Sequence, residues 1–282
     1  MYKTKKSMNS LDQALSIKKK GINGMNYDED THYTQSYLKK NSGIINKYFG
    51  FIGSRRIKKS YFWSIFYEIS EIQVYEKNLT CTKFKFCEEN IYIPKTLDLI
   101  SETILSKKFD KNGLFRVNST KQRLRTASAL LYDIVEQRVN VTKGKQLLDK
   151  NFDLIDCCEL YKELLRSFNT TIIPKSYIDL IVRISDISNI DDKIICCKAI
   201  YYSLPKNNRS ILESNIFVCY KICEKMEKSK THLQQMDLDG ISIVMMPNLF
   251  LEKDQDIEIE KVLVLVEFCK YFYSNFPLIC QI

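Results

Sequence analysis

From about residue 85 onward, apolar and polar positions repeat at the three-to-four spacing of amphipathic helices, and sustained alternation of period two is hard to find. Leu97, Leu99, Ile100, Ile104 and Leu105 follow Pro94, a residue that suits a first helical turn. Asn112-Gly113 then signals a turn, so this helix is expected to end near Phe109-Asp110. Leu124, Ala127, Leu130, Leu131, Ile134 and Val135 predict a second helix from Ser119 or Thr120 to about Arg138. Later helices are expected at about 156–168, 175–185, 191–203, 207–228, 234–245 and 258–275, with Pro174, Pro205 and Pro247 between them. The expected fold class is all-α: about eight to nine helices over residues 85–282, preceded by a basic N-terminal extension.

The extension has two parts. Residues 1–45 are polar, carry Lys18-Lys19-Lys20 and Asp28-Glu29-Asp30, and read as a disordered tail. Residues 46–84 change character. Tyr48, Phe49, Phe51, Tyr61, Phe62, Trp63, Phe66 and Tyr67 surround Arg55, Arg56, Lys58 and Lys59. Such a segment either packs its aromatic side on the main domain or, through residues 46–80, lies on an anionic membrane surface.

Composition narrows the function. Only 8 of the 282 residues are glycine, and five of those (Gly21, Gly24, Gly43, Gly50 and Gly53) come early. With no GxxxxGK[ST] and no GxGxxG, the chain lacks the usual backbone loop for a nucleotide phosphate. The net charge of +9 is concentrated at the start: residues 1–80 hold 14 Lys/Arg against 7 Asp/Glu, and the rest 29 against 27. That distribution disfavours a nucleic-acid partner, whose basic stripe would belong on the folded domain. Ten cysteines include no CxxC, and with only two histidines they read as buried small hydrophobes, not metal ligands. Lys3, Lys5 and Lys6 lead into polar sequence with no secretory pattern, and no apolar run approaches the ~18 residues of a membrane span. A cytoplasmic protein, peripheral at membranes if its extension binds lipid, is the expectation.

Four polar positions carry candidate chemistry. Arg116 lies in the interhelical turn Asn112-Gly113-Leu114-Phe115-Arg116-Val117, where Leu114, Phe115 and Val117 are placed to pin the loop to the core. A guanidinium on a rigid exposed loop suits insertion into another molecule's phosphate site; the plain alternative is a surface charge. Lys162 and Arg166 fall at about 200° and 240° from Leu160 on a helical wheel, opposite the Leu160, Leu164, Phe168, Tyr161, Leu165 stripe. They read as a solvated or partner-facing pair, with Glu159 or Glu163 to offset their repulsion. Asn248 follows Pro247 and alone reads as a turn cap.

Taken in order, these segments resemble the Rho GTPase-activating (RhoGAP) domain family. Asn112-Gly113-Leu114-Phe115-Arg116-Val117 resembles its "G-[IL]-[FY]-R-[VI]" arginine-finger loop, and Leu160-Tyr161-Lys162-Glu163-Leu164-Leu165-Arg166 its "LK-x-[FY]-LR" helix. Leu204-Pro205, Asn208, Leu212 and Ile243-Val244 through Pro247-Asn248-Leu249 resemble its "LP-x-x-[NH]-x-x-x-L … PNL" stretch. Two departures stand out: Met245-Met246 replaces the usual "FG", and "N-[KR]-M-x-x-x-N-L-A" reads Gln234-Gln235-Met236-Asp237-Leu238-Asp239-Gly240-Ile241-Ser242. The resemblance implies a RhoGAP-like helical fold and a Rho-, Rac- or Cdc42-like small GTPase as partner. It also implies that Arg116 is a catalytic finger, that Lys162 and Arg166 brace its loop and contact the GTPase, and that Asn248 contacts the GTPase. No cofactor of the chain's own is implied, since GTP and Mg2+ belong to the GTPase, and the chain is then an activator and not itself a hydrolase. The alternative is a module that keeps the fold and binds a GTPase, or serves as a scaffold, without accelerating hydrolysis.

Overall fold

A computed structural model describes residues 35–49, 71–87, 90–110, 112–228, 236–252 and 257–281. In chain order the elements are α1 (Ser42–Phe49), β1 (Leu79–Cys81), β2 (Tyr92–Pro94), α2 (Lys95–Ser106), α3 (Lys121–Val135), α4 (Val141–Asn151), α5 (Leu154–Arg166), α6 (Ile178–Ser185), α7 (Ile190–Ser203), α8 (Lys206–Lys228), α9 (Leu238–Phe250), α10 (Ile259–Ser274) and α11 (Phe276–Ile279). The architecture is all-α, as the apolar periodicity requires. A short antiparallel pair, β1 with β2 (Thr80 opposite Ile93), is the one addition among the described residues.

The helices are arranged around α5, which packs against α2, α3 and α9. Its start is fixed by a reciprocal capping box: the Asp153 side chain accepts from the Asp156 amide, and the Asp156 side chain accepts from the Asp153 amide. Because neighbours close over most of its circumference, even its polar residues Asp156, Glu159 and Lys162 are buried. A chain of hydrogen bonds runs from this helix into the C-terminal part of the fold. Asn215 of α8 donates to the Tyr161 hydroxyl (3.1 Å) and accepts from Tyr273 of α10 (2.6 Å). Asn208, fully buried, accepts from the Ile72 amide at 2.9 Å and donates to the carbonyls of Thr171 and Ile172. The segment before the hairpin is thereby tied to the helical core, every polar group in that buried junction finding a partner.

Three expectations are corrected. Residues 35–49, expected to be tail up to residue 45, are largely helical and bury Leu38, Ile45 and Phe49 against the domain, with Tyr48 and Lys47 both bonded to Asp192. Their apolar positions are too few for a clear stripe, yet Leu38, Ile45 and Phe49 land in the core and Tyr37, Ile44 and Tyr48 pack against it. Of the tail and the 46–84 segment, residues 1–34 and 50–70 lie outside the described residues, while 71–84 bury Ile72 and Phe84 and carry β1. Pro247 does not separate helices but lies inside α9. Proline has no amide to offer the Ile243 carbonyl one turn earlier, and the Asn248 side-chain amide adds a donor to the next carbonyl, Val244, at 3.0 Å. Finally, α4 had no apolar stripe to announce it, since only Gly144 and Leu148 are buried. A Cβ at Gly144 would stand 2.3 Å from Ile134 Cγ1, so glycine is what lets α4 lie against α3.

Candidate functional site

Arg116 sits in the connection between α2 and α3, and the backbone there is unusual. Gly113 has φ 74° and Phe115 φ 62°, both in the left-handed region. For an aromatic residue that conformation costs on the order of 1–3 kcal/mol and persists only where the surroundings impose it. The surroundings do so. The amides of Arg116 and Val117 both donate to the Gly113 carbonyl, closing a tight turn. Leu114 and the Phe115 ring are buried, the ring meeting Tyr161 edge-on at 6.3 Å between centroids. Val117, expected to help pin the loop, is instead half exposed. Leu114 and Phe115 go inward, and Arg116 is left pointing out.

The loop is held at both ends by α5. Lys162, only 4% exposed, donates from Nζ to the Phe115 carbonyl at 2.6 Å and pairs with Glu159 at 2.6 Å. At the exit of the loop, Ser119 donates to Asp156 at 2.5 Å, and the Arg123 guanidinium pairs with both oxygens of the same carboxylate. Asp156 and Lys162 are six residues apart, so the two clamps stand about 9 Å apart along one rigid helix. One turn beyond Lys162, the Arg166 Nε donates to Asn248 Oδ1 at 2.6 Å and its Nη1 pairs with Glu163 at 2.9 Å. Asn248, 3% exposed, therefore spends its oxygen on Arg166 and its amide on α9. Arg116 and Arg166 are the two candidates that face solvent.

Burial pushes the Asp156 carboxyl up, but hydrogen bonds from Arg123, Ser119 and the Asp153 amide outweigh it and hold the group at about 2. A carboxyl depressed from about 3.8 supplies stability that is complete above that value and lost as pH falls through about 2. Asp156→Asn is expected to destabilise the domain by about 2 kcal/mol at neutral pH and to flatten the stability profile between pH 4 and pH 2. Urea denaturation at a series of pH values measures both; a variant profile parallel to wild type across that window would rule this account out. Elsewhere burial pushes the thiols of Cys157, Cys196 and Cys223 up to about 12, as befits cysteines acting as core side chains.

The family model of the RhoGAP domain matches residues 94–254, more than half of the chain and spanning the loop, both clamps and Asn248. The chain belongs to the RhoGAP family. Among solved structures, the RhoGAP fold recurs in human Rho GTPase activating protein 15, with 17% identity, a TM-score of 0.55 and coverage of 67% of this chain and 84% of that one. It recurs also in the BH domain from Graf, the GTPase regulator associated with focal adhesion kinase (13% identity, TM-score 0.52, 66% of this chain and 92% of that one). At these identities the likeness concerns the fold. No curated protein matches the sequence. Membership gives the domain a general role in activating GTP hydrolysis by Rho-family GTPases. Among the described residues no helix is long and apolar enough to cross a membrane.

Within this RhoGAP domain, the helical wheel placed Lys162 beside Arg166 on a polar face, but the structure buries Lys162 and leaves only Arg166 outside. A wheel assumes one solvated face, and α5 is too enclosed to have a broad one. Sequence reasoning missed the second clamp, Ser119–Asp156–Arg123. Its one legible signal is the Asp153-x-x-Asp156 spacing of a capping box at a helix start.

Proposed function

We propose that this domain accelerates GTP hydrolysis by a Rho-, Rac- or Cdc42-like GTPase, with Arg116 as an arginine finger supplied in trans. The observation that carries the reading is the exposed Arg116 on a loop whose every other anchor is internal: Phe115 to Lys162, Ser119 to Asp156. A guanidinium presented this way can enter the partner's nucleotide site and offset charge developing on the transferring phosphoryl group. Lys162 serves from behind, holding the strained carbonyl next to the finger. Arg166 offers the surface contact to the GTPase, and Asn248 fixes its guanidinium plane. The nucleotide, the magnesium ion and the attacking water all belong to the GTPase.

Single-turnover hydrolysis across a panel of GTP-loaded Rho, Rac and Cdc42-type proteins tests the reading. Acceleration on the order of 10³–10⁵ is expected for at least one of them. Binding to a GTPase with no rate above its intrinsic one, for every panel member, would make the domain a binding module instead.

A further inference from the structure

The resting direction of the Arg116 side chain points to a residue with no assigned role. Its Nη2 lies 3.6 Å from the place where a Cβ on Gly240 would stand, and Asp237 Oδ1 lies 3.0 Å from the same place. The Asp237 carboxylate is therefore within about 7 Å of the guanidinium, closer than the Debye length of about 8 Å at physiological salt. Asp237 caps α9, accepting from the Gly240 amide at 2.7 Å, so its position is fixed. Asp239 adds a second carboxylate in the same turn, accepting from Ser274. Lys270 of α10 also faces both acids, but Glu267 engages its ammonium at 2.6 Å. The turn is left with excess negative charge, and the Arg116 guanidinium lies beside Gly240 at its edge. Among the described residues no hydrogen bond or ion pair ties the guanidinium down.

We propose that the acidic first turn of α9, through Asp237, is a resting berth for the finger. Attraction across a gap, without a direct bond, draws the guanidinium over Gly240 in the free domain and lets it go when a stronger anion arrives. On docking, Arg116 exchanges one carboxylate for the partner's phosphates, and the fraction of domains with the finger away from the berth scales the apparent affinity for the transition state. Asp237 is a positioning residue: it touches neither nucleotide nor reacting atoms. The inference rests on Arg116 being the finger.

Asp237→Asn separates charge from capping, since asparagine caps a helix as well as aspartate does. With a responsive GTPase, the second-order stimulated rate is expected to rise two- to fivefold at low salt, the gain shrinking as ionic strength increases. The same substitution in an Arg116→Ala background should change nothing. In the 15N-labelled full chain, the Arg116 Nε–Hε cross-peak, identified by its loss in Arg116→Ala, should move in Asp237→Asn. An unchanged or lower rate, an equal gain without the arginine, or an unmoved cross-peak would each overturn the berth. If Arg116→Ala stimulates the GTPase as fast as wild type, the finger reading fails first and the berth falls with it. If Arg116→Ala is slow and Asp237→Asn is neutral, the berth alone fails.

Discussion

Arg116→Ala is expected to lower the stimulated rate of GTP hydrolysis by on the order of 10³-fold while leaving the melting temperature within about a degree of wild type. The two halves of that result come from one observation. The Arg116 side chain is exposed, and the loop around it is held through the Phe115 carbonyl and the Ser119 hydroxyl. Truncation at Cβ removes the guanidinium and none of the anchors. Lysine at the same position keeps a charge but cannot offer two parallel donors to a phosphoryl group, so Arg116→Lys should recover only a small part of the loss. Single-turnover rates alongside thermal melts read both quantities; a variant that melts normally and stimulates like wild type would dismiss Arg116 as the finger.

Lys162→Met should fail in a different manner. Methionine retains the aliphatic stem but drops the ammonium, leaving Glu159 buried beside no cation and Phe115 with an unpaired carbonyl. Breaking a buried pair from one side costs about 3 kcal/mol or more, so a clear fall in stability is expected. The stimulated rate should also drop, by about 10²-fold, because a finger displaced by 1 Å loses most of its effect. The double variant Glu159→Gln/Lys162→Met tells the two losses apart. Removing both charges returns much of the stability, but the carbonyl next to the finger remains unheld and the rate stays low. Recovery of the rate together with the stability would mean that Lys162 contributes only to folding.

The helices that the sequence announced best were those with one apolar stripe and a punctuated start. Asn112-Gly113 and the apolar neighbours of Arg116 also made the loop visible, because a positive φ and inward-pointing side chains leave traces in residue type. What stayed hidden depended on enclosure. Lys162 has the sequence context of a surface lysine, and only the packing of α2, α3 and α9 around α5 takes it inside. Phe115 gives no hint of a left-handed backbone, which phenylalanine avoids when free to choose; the tertiary anchors on either side force it. Pro247 misled for a related reason, since a proline takes only one amide from the ladder and α9, held by its packing, continues through it. The approach of Arg116 to the α9 first turn is a contact between residues more than 100 positions apart, and no local pattern encodes it.

An arginine that contributes nothing to folding is also an arginine that folding does not protect. Selection for a stable domain would tolerate almost any polar residue at position 116, so, with Arg116 as the proposed finger, a single codon change would turn an activator into a competitor. Such a chain would accumulate normally, occupy the same GTPase face and shield the GTP-bound form from activators that still carry a finger. Loss of activity at this position would thus be felt by the cell as a gain in signalling.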